Sequence, residues 1–577
     1  MNEDTLINHD VQLSIKIGGK ATEHAAHIIS AETHTAYHKL SSAEVVLNDG
    51  GLSDTDFAIG DSEAFLIGKE LAVMVGDKKA DKCVFKGIIE MQNITLKSGT
   101  SFLKITAKHP AYKMTIERKL RSFEDMTDYD IIEQICNEYG IDLTMKATNV
   151  KHERLVQYNC TDWDFINLRA QAMGMLLWTH PEGITISAPE ICAKPVLDII
   201  NGLNLQDLDF ELDARRAYKK YQTDAWNYTN QEIDEAENAG GQSDTPLGDL
   251  SATDLADKNN NESIICHKMT TEENTDGLNA WNEMATMRMD LSRVVGKVEV
   301  WGVAPIEPGN IVDVKNVGKR FNGKTIVSSV SHKIDGSQWL TALQLGIDEI
   351  LYADTYDNIA TKPADGELPP VNGLQIAKVK ALEGDPLGED RIYICLLGNE
   401  DTKLWARLAT LDAGNERGTV FCPEVDDEVI VGFINDHPNQ AVVLGMLHSS
   451  SAPSPIEKKD DNHKKAIVTR EKLQVIFDDE KKAITVSTPG GNKLVLNDDD
   501  GGIFIEDQSG NKITMDSNGI TVETPTTIKL KATQDVTIEG YNTNVKANAQ
   551  LKMQGTAGCE LSASGNTVVK GAIVQIN

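Results

Sequence analysis

The last hundred residues constrain this 577-residue chain most. From Ile484 to Val569 an apolar residue, a spacer and a second apolar residue recur. The pairs are Ile484/Val486, Leu494/Leu496, Ile503/Ile505, Ile513/Met515, Ile520/Val522, Ile528/Leu530, Val536/Ile538, Thr543/Val545, Leu551/Met553, Cys559/Leu561 and Thr567/Val569. Their starts step by 10, 9, 10 and 7 residues and then settle near 8. From Leu530 onward a small residue follows each pair: Ala532, Gly540, Ala547, Gly555, Ala563, Gly571. Alternation of this kind predicts strands with one buried face, and a fixed period predicts stacked repeats.

Eight extended residues cover about 26 Å. Closed on itself, that length makes a loop about 8 Å across, too narrow for sheets that pack about 10 Å apart. One chain therefore cannot wind an eight-residue rung around its own core, whereas three chains contributing one octad each can. The repeat predicts an intertwined homotrimer, a triple-stranded β-helix, with Val545, Met553, Leu561 and Val569 in its core and Gly555 and Gly571 at corners. The alternative, a single-chain calcium roll, needs a nine-residue G-G-x-G-x-D repeat, and this sequence lacks it.

The formal charge is −32, so three copies carry −96. Phosphate binding needs a basic surface, which argues against nucleic acid as a partner. No run of 18 apolar residues is present, so no membrane-spanning helix is expected. The N-terminus, MNEDTLINHD, has neither the basic nor the apolar region of a secretory signal, which predicts synthesis in the cytoplasm. Eight scattered cysteines without a C-x-x-C pair read as small core residues made in a reducing compartment.

Before the repeat, residues 11 to about 118 read as strands separated by turns. His24, His27, His34 and His38 have metal-like spacings, but no cysteine or clear carboxylate completes a set, so neither a metal nor another cofactor is expected. Thr127 and Asp128 predict a helix start stopped by Gly140; Thr161, with Asp164 three residues on, predicts another ending at Gly174. Residues 236–262 are polar, acidic and turn-rich and read as a surface loop. A helix is expected near 277–291, then strands to about Leu351. Five short strands within 371–448 fit an OB-type barrel.

That barrel carries an ordered motif: Trp405-Ala406-Arg407, Ala413-Gly414, Gly418, Pro423-Glu424-Val425-Asp426-Asp427-Glu428-Val429, Gly432-Phe433, Pro438 and Leu444-Gly445. With Gln157-Tyr158, Thr161-Asp162-Trp163-Asp164-Phe165, Pro308-Gly309-Asn310 and Phe321-Asn322-Gly323, it resembles the VgrG family, the central spikes of type VI secretion and extracellular contractile injection systems. Asp426 departs from the family, which usually has Gly there. The resemblance implies a mainly β chain with two hub barrels and a few helices, an OB-fold collar and a needle. It divides the chain into a first hub barrel (1–120), a helix-containing segment (121–235), the acidic loop (236–262), a second hub barrel (263–360), a linker (361–370), the collar (371–448), a second linker (449–465) and the needle (466–577). In the collar it points to Trp405, Arg407, Gly414, Pro423, Glu424, Glu428, Gly432 and Phe433.

Implied partners are two further copies, a tube of hexameric rings with baseplate components, effectors, and a PAAR-type tip protein over the blunt end near Ile573 and Val574. Only about 16 residues separate collar from needle, and the chain ends at Asn577, so no room is expected for a catalytic domain. The acidic run Glu424, Asp426, Asp427 and Glu428 reads as a solvated turn rather than an acid/base or metal site. The expected protein is a structural, non-enzymatic spike, and a long hub with a bare needle fits a released phage-tail-like particle somewhat better than a cell-bound type VI apparatus. A trimeric tailspike that cleaves polysaccharide is the alternative of another class; it needs paired carboxylates on a broad β-helix, and no such face is evident here.

Overall fold

The computed structural model describes residues 11–576 except 52–56, 78, 98, 216, 240–246, 260–263, 270–274, 337, 349 and 398–403. The chain divides into two compact units, residues 1–373 with 433–440, and residues 374–432 with 441–577.

In the first unit thirteen strands hydrogen-bond into one sheet network. Alternating sequences such as Leu71-Ala72-Val73-Met74-Val75 place one face inward, where Leu71, Val73, Val75, Val45, Leu47, Phe65, Phe85, Ile89 and Ile105 form a dry core. A separate core gathers Ile199, Val298, Val300, Val312, Val314, Val327 and Leu343. The strands expected in two barrels are joined where Ile28–Ala36 pairs antiparallel with Gly323–Asp335. The later core also recruits Leu197–Ile200, which pairs in parallel with Ile311–Lys315.

Two helices sit where their caps predict. Helix α1 (Asp128–Glu138) has Thr127 as N-cap, in a reciprocal capping box with Asp130, and Gly140 follows at φ +64°. Helix α2 (Asp162–Ala172) is capped by Thr161, whose hydroxyl accepts from Asp164 N at 3.1 Å, and Gly174 follows at φ +70°. Ile131, Ile132, Ile135 and Ile166 are fully buried between them and the strands.

The acidic segment 236–262 is more ordered than its composition implies. Strand Glu232–Ala239 pairs with Lys220–Asn227, and α3 (Ala252–Lys258) starts in a capping box between Ser251 and Asp254. Ala252, Leu255 and Ala256 are buried: three apolar residues on one helical face suffice to anchor a polar stretch. Residues 240–246 and 260–262 of the loop lie outside the described residues. Helix α4 (Thr275–Ser292) covers the sheet formed by these strands and Ile264–Met269.

The second unit holds a closed five-stranded barrel of Gln375–Ala381, Ile392–Leu396, Leu404–Leu408, Ala441–Met446 and Glu428–Phe433. Ala377, Val379, Ile394, Ala406, Val429, Val431 and Val443 fill it. Beyond it, seven strands from Lys464–Val468 to Gly519–Glu523 form an antiparallel meander in chain order. Among the described residues no strand follows Glu523, and no helix anywhere is long and apolar enough to cross a membrane.

Cys136, Cys160 and Cys395 are buried, as core cysteines should be; the other five are exposed, which corrects the reading of most of the eight as core residues. The reason is positional: Cys83 and Cys266 lie on strands at points facing away from the core.

Candidate functional site: an unpartnered apolar face and its collar

From Gln474–Asp478 onward, each five-residue strand of the meander presents an apolar pair on one face. Register then aligns the pairs into two continuous rows. One row runs Phe477, Ile484, Leu496, Ile503, Met515, Ile520, and the other Val475, Val486, Leu494, Ile505, Ile513, Val522. Neighbours in such rows are normally the unit of sheet stabilisation. Here twelve apolar side chains share a face, and none is buried in the single chain. The opposite face carries a mixed row, Ile476, Thr485, Val495, Phe504, Thr514 and Thr521.

The change of period in the sequence marks the end of this pairing. Steps of 10, 9, 10 and 7 residues each hold a strand and a turn within this meander, the shortest joining Lys512–Asp516 to Gly519–Glu523. Where the step settles at eight, after Ile520, in-chain pairing stops at Glu523. From there the chain bends at 525–526, 533–534, 541–542, 548–549, 556–557, 564–565 and 572–573. Six of these bends come directly after Ala532, Gly540, Ala547, Gly555, Ala563 and Gly571. At Gly555 an added Cβ would lie 2.0 Å from the Gly558 carbonyl oxygen, so the close approach excludes any side chain. At Gly571 the nearest atom, the Ile573 oxygen, would be 3.2 Å away. Val545, Met553, Leu561 and Val569 are each about two-thirds exposed, at 66%, 65%, 70% and 64%. Within one chain nothing covers them.

The collar residues fall into three places. Trp405 pairs across strands with Tyr393, ring centroids 5.6 Å apart, and Arg407 stands exposed on the same outer face. Gly414 and Gly418 lie in a two-residue ladder closed by Arg417, whose guanidinium holds Asp412 at 2.6 Å. A Cβ at Gly418, at φ +141°, would meet the Asp412 oxygen at 2.5 Å. Pro423 is buried at the start of the acidic turn, and Gly432 packs against Leu444 and Leu374. Phe433 ends its strand half-buried.

The acidic run is a turn. Asp427 Oδ2 accepts from Glu424 N at 2.8 Å, and Asp427 N donates to Glu424 O at 3.1 Å. Asp426 takes φ +73°, and its N–H donates to Val379 O. The turn that a glycine would make is therefore kept, not remodelled. Glu424 also pairs with Arg470 at 2.6 Å, and Glu428 is exposed opposite Lys378.

The motif Thr161-Asp162-Trp163-Asp164-Phe165 resolves into a buried ionic node. Fully buried Asp162 accepts from Arg121 at 2.6 Å, Lys119 at 2.7 Å, Tyr139 at 2.8 Å and Gln157 at 2.9 Å. Burial alone would raise its pKa, but the Lys119 and Gln157 hydrogen bonds prevail and hold it below the usual carboxylate range. Asp128, held by Arg169 and His152, forms a second such node, which periodicity alone did not reveal. The four histidines do not converge. His34 bonds Ser331 and His38 bonds Asn167, and among the described residues no three His, Cys, Asp or Glu side chains are placed to hold a metal.

Three family models match. Residues 8–336 match the Alg8 N-terminal domain, 375–448 the type VI secretion system/phage-baseplate injector OB domain, and 483–577 the phage baseplate V C-terminal trimerisation domain. Among curated relatives, the type VI secretion system spike protein VgrG3 of Vibrio cholerae is 31% identical over 111 residues, 18% of this chain and 11% of that one. The actin cross-linking toxin VgrG1 of the same species is 25% identical over 223 residues, 36% of this chain and 17% of that one. The matched stretches thus span less than a fifth of these relatives' own length. Among solved structures, a 43 kDa prophage tail protein from Shewanella oneidensis aligns at TM-score 0.46 and 12% identity, over 59% of this chain and 99% of that one. An Escherichia coli type VI secretion component aligns at TM-score 0.39 and 13% identity, over 75% and 100%.

Proposed function

The chain belongs to the Alg8 N-terminal domain family across residues 8–336 and is a VgrG-like spike, and on that premise we propose that it serves as the central structural spike of a contractile injection machine. The observation that carries this is the pair of apolar rows on the meander, continued by octads with no partner in their own chain. Burying an apolar side chain of this size contributes about 1.5–3 kcal/mol, so twelve such residues plus the octads supply a strong drive to associate. Three copies close the face around one axis, with Val545, Met553, Leu561 and Val569 inside and Gly555 and Gly571 at the corners. The match to a trimerisation domain over 483–577 supports that number.

The work is mechanical rather than catalytic: a dry-cored prism transmits the thrust of contraction to a small area of the target envelope. On this reading the partners are a tube of hexameric rings, baseplate components, a PAAR-type tip protein and the effectors delivered, and the spike acts outside the cell that makes it. The sequence leans to a released particle; the relatives named above are type VI spike proteins, and the type VI reading fits them. The test is light scattering on the purified chain. A mass three times that of the monomer is expected, falling to the monomer in Ile503→Lys. A wild-type monomer with an ordered C-terminal region sinks the reading.

A further inference from the structure

The first unit contains a cavity of about 710 Å3 bounded by α4, residues 36–39, residues 328–329, residues 346–348 and residues 350–356. That is an ordinary size for a small-ligand pocket. Apolar groups such as Leu176, Met289 and Ile347 line one part, and Arg288 another.

Arg288 is only 5% exposed. Its guanidinium donates to two main-chain oxygens, Ile350 O at 3.2 Å and Asp348 O at 3.5 Å, and among the described residues it has no carboxylate partner. The Asp348 carboxylate acts on it through space only, its Oδ1 being taken by Ile350 N. Burial pulls the guanidinium down to about 10. Two neutral acceptors do not offset the loss of hydration of a buried cation. Arg215, on the same wall, is by contrast paired with Asp213 at 2.6 Å.

His38 supplies a second group. Its Nδ1 lies 2.9 Å from Asn167 Oδ1, and Asn167 Nδ2 donates to Trp163 O at 2.8 Å. That second bond fixes the amide with its oxygen toward the ring, so Nδ1 carries the hydrogen and Nε2 is left as an acceptor. Burial keeps the ring neutral, with a pKa of about 4. Nε2 is shut off from solvent and, among the described residues, has no partner.

A buried cation with no carboxylate partner among the described residues, beside an apolar wall, matches a carboxylate carried on an apolar group. We propose that this cavity binds the free carboxyl terminus of a peptide. The carboxylate sits on Arg288 and the side chain packs on Met289 and Ile347, with the neutral His38 ring as part of the wall. The inference stands apart from the spike reading.

The test offers the folded full chain two tetrapeptide pools of identical composition, one with free carboxyl termini and one amidated, and counts bound peptides by mass spectrometry. Acid peptides should be enriched about tenfold or more over amides, as expected for a charge-assisted hydrogen bond. Arg288→Gln should remove the difference. Equal recovery of the two pools by the wild type overturns the proposal, whether or not the variant folds. Enrichment that survives Arg288→Gln overturns it as well.

Discussion

Asp426 occupies the left-handed region at φ +73°, where glycine is the cheaper residue. Asp426→Gly should relieve that strain and stabilise the barrel by about 0.5–1 kcal/mol, whereas Asp426→Val should destabilise it by about 1–3 kcal/mol. Urea unfolding followed at Trp405 would measure both. Asp162 is the opposite case, a buried charge that four donors satisfy. Asp162→Ala leaves Arg121 and Lys119 without it and should cost about 3–5 kcal/mol. The same residues set the acid limit. His38, His109 and His332 are held neutral by burial, with pKa values of about 4. Their folded values lie below the unfolded value of about 6.5, so the stability they contribute is complete above that pH and erodes as pH falls toward 4. Asp128 and Asp162 are also held low, Asp128 by Arg169 against its own burial. Their contribution is lost only below about pH 4. Unfolding midpoints measured from pH 8 to pH 3 should therefore fall in two stages, with His332→Phe flattening the upper one and Asp128→Asn the lower.

At the scale of elements, the meander and the octads look alike in sequence but meet different fates. Steps of 10, 9, 10 and 7 residues carry antiparallel pairs within the chain, the last through a two-residue turn at 517–518; beyond Glu523, among the described residues, the octads find no strand in their own chain and must look outside it. Ile503→Lys puts a charge in the middle of an apolar row and should abolish assembly while leaving the barrel folded. Size-exclusion chromatography with circular dichroism separates those outcomes. Helices α1 and α2 were legible because Thr127, Thr161, Gly140 and Gly174 punctuate them. The OB barrel was legible from five short strands, and the bends of the last fifty residues from small residues at fixed offsets. The sharing of one sheet by both hub cores was not, because the pairing of Ile28–Ala36 with Gly323–Asp335 joins residues almost three hundred apart and leaves no periodic trace. Nor was α3, whose apolar residues are too few to stand out in an acidic stretch. Arg288 and His38 escaped for a related reason: the first lies inside a helix, the second in a histidine cluster, and only tertiary structure brings both to one cavity.

For the whole molecule the largest opposing term is charge. Each chain carries −32, and the three in a spike repel one another while the apolar faces attract. Salt screens the repulsion and leaves apolar burial nearly untouched. Raising ionic strength from about 0.05 M to about 0.5 M should therefore raise the melting temperature of the assembled species by roughly 2–5 °C, and calorimetry at two salt levels checks it. The two apolar rows of the meander have a consequence for biogenesis. The residues up to Met446 emerge first during synthesis, and each of their cores is closed within one chain. The rows emerge later and cannot be satisfied until two sister chains arrive. Until then each nascent product displays a sticky, ladder-edged ribbon, so translation of neighbouring copies on one message, or a chaperone waiting at the exit, governs how much spike a cell obtains from a given amount of synthesis.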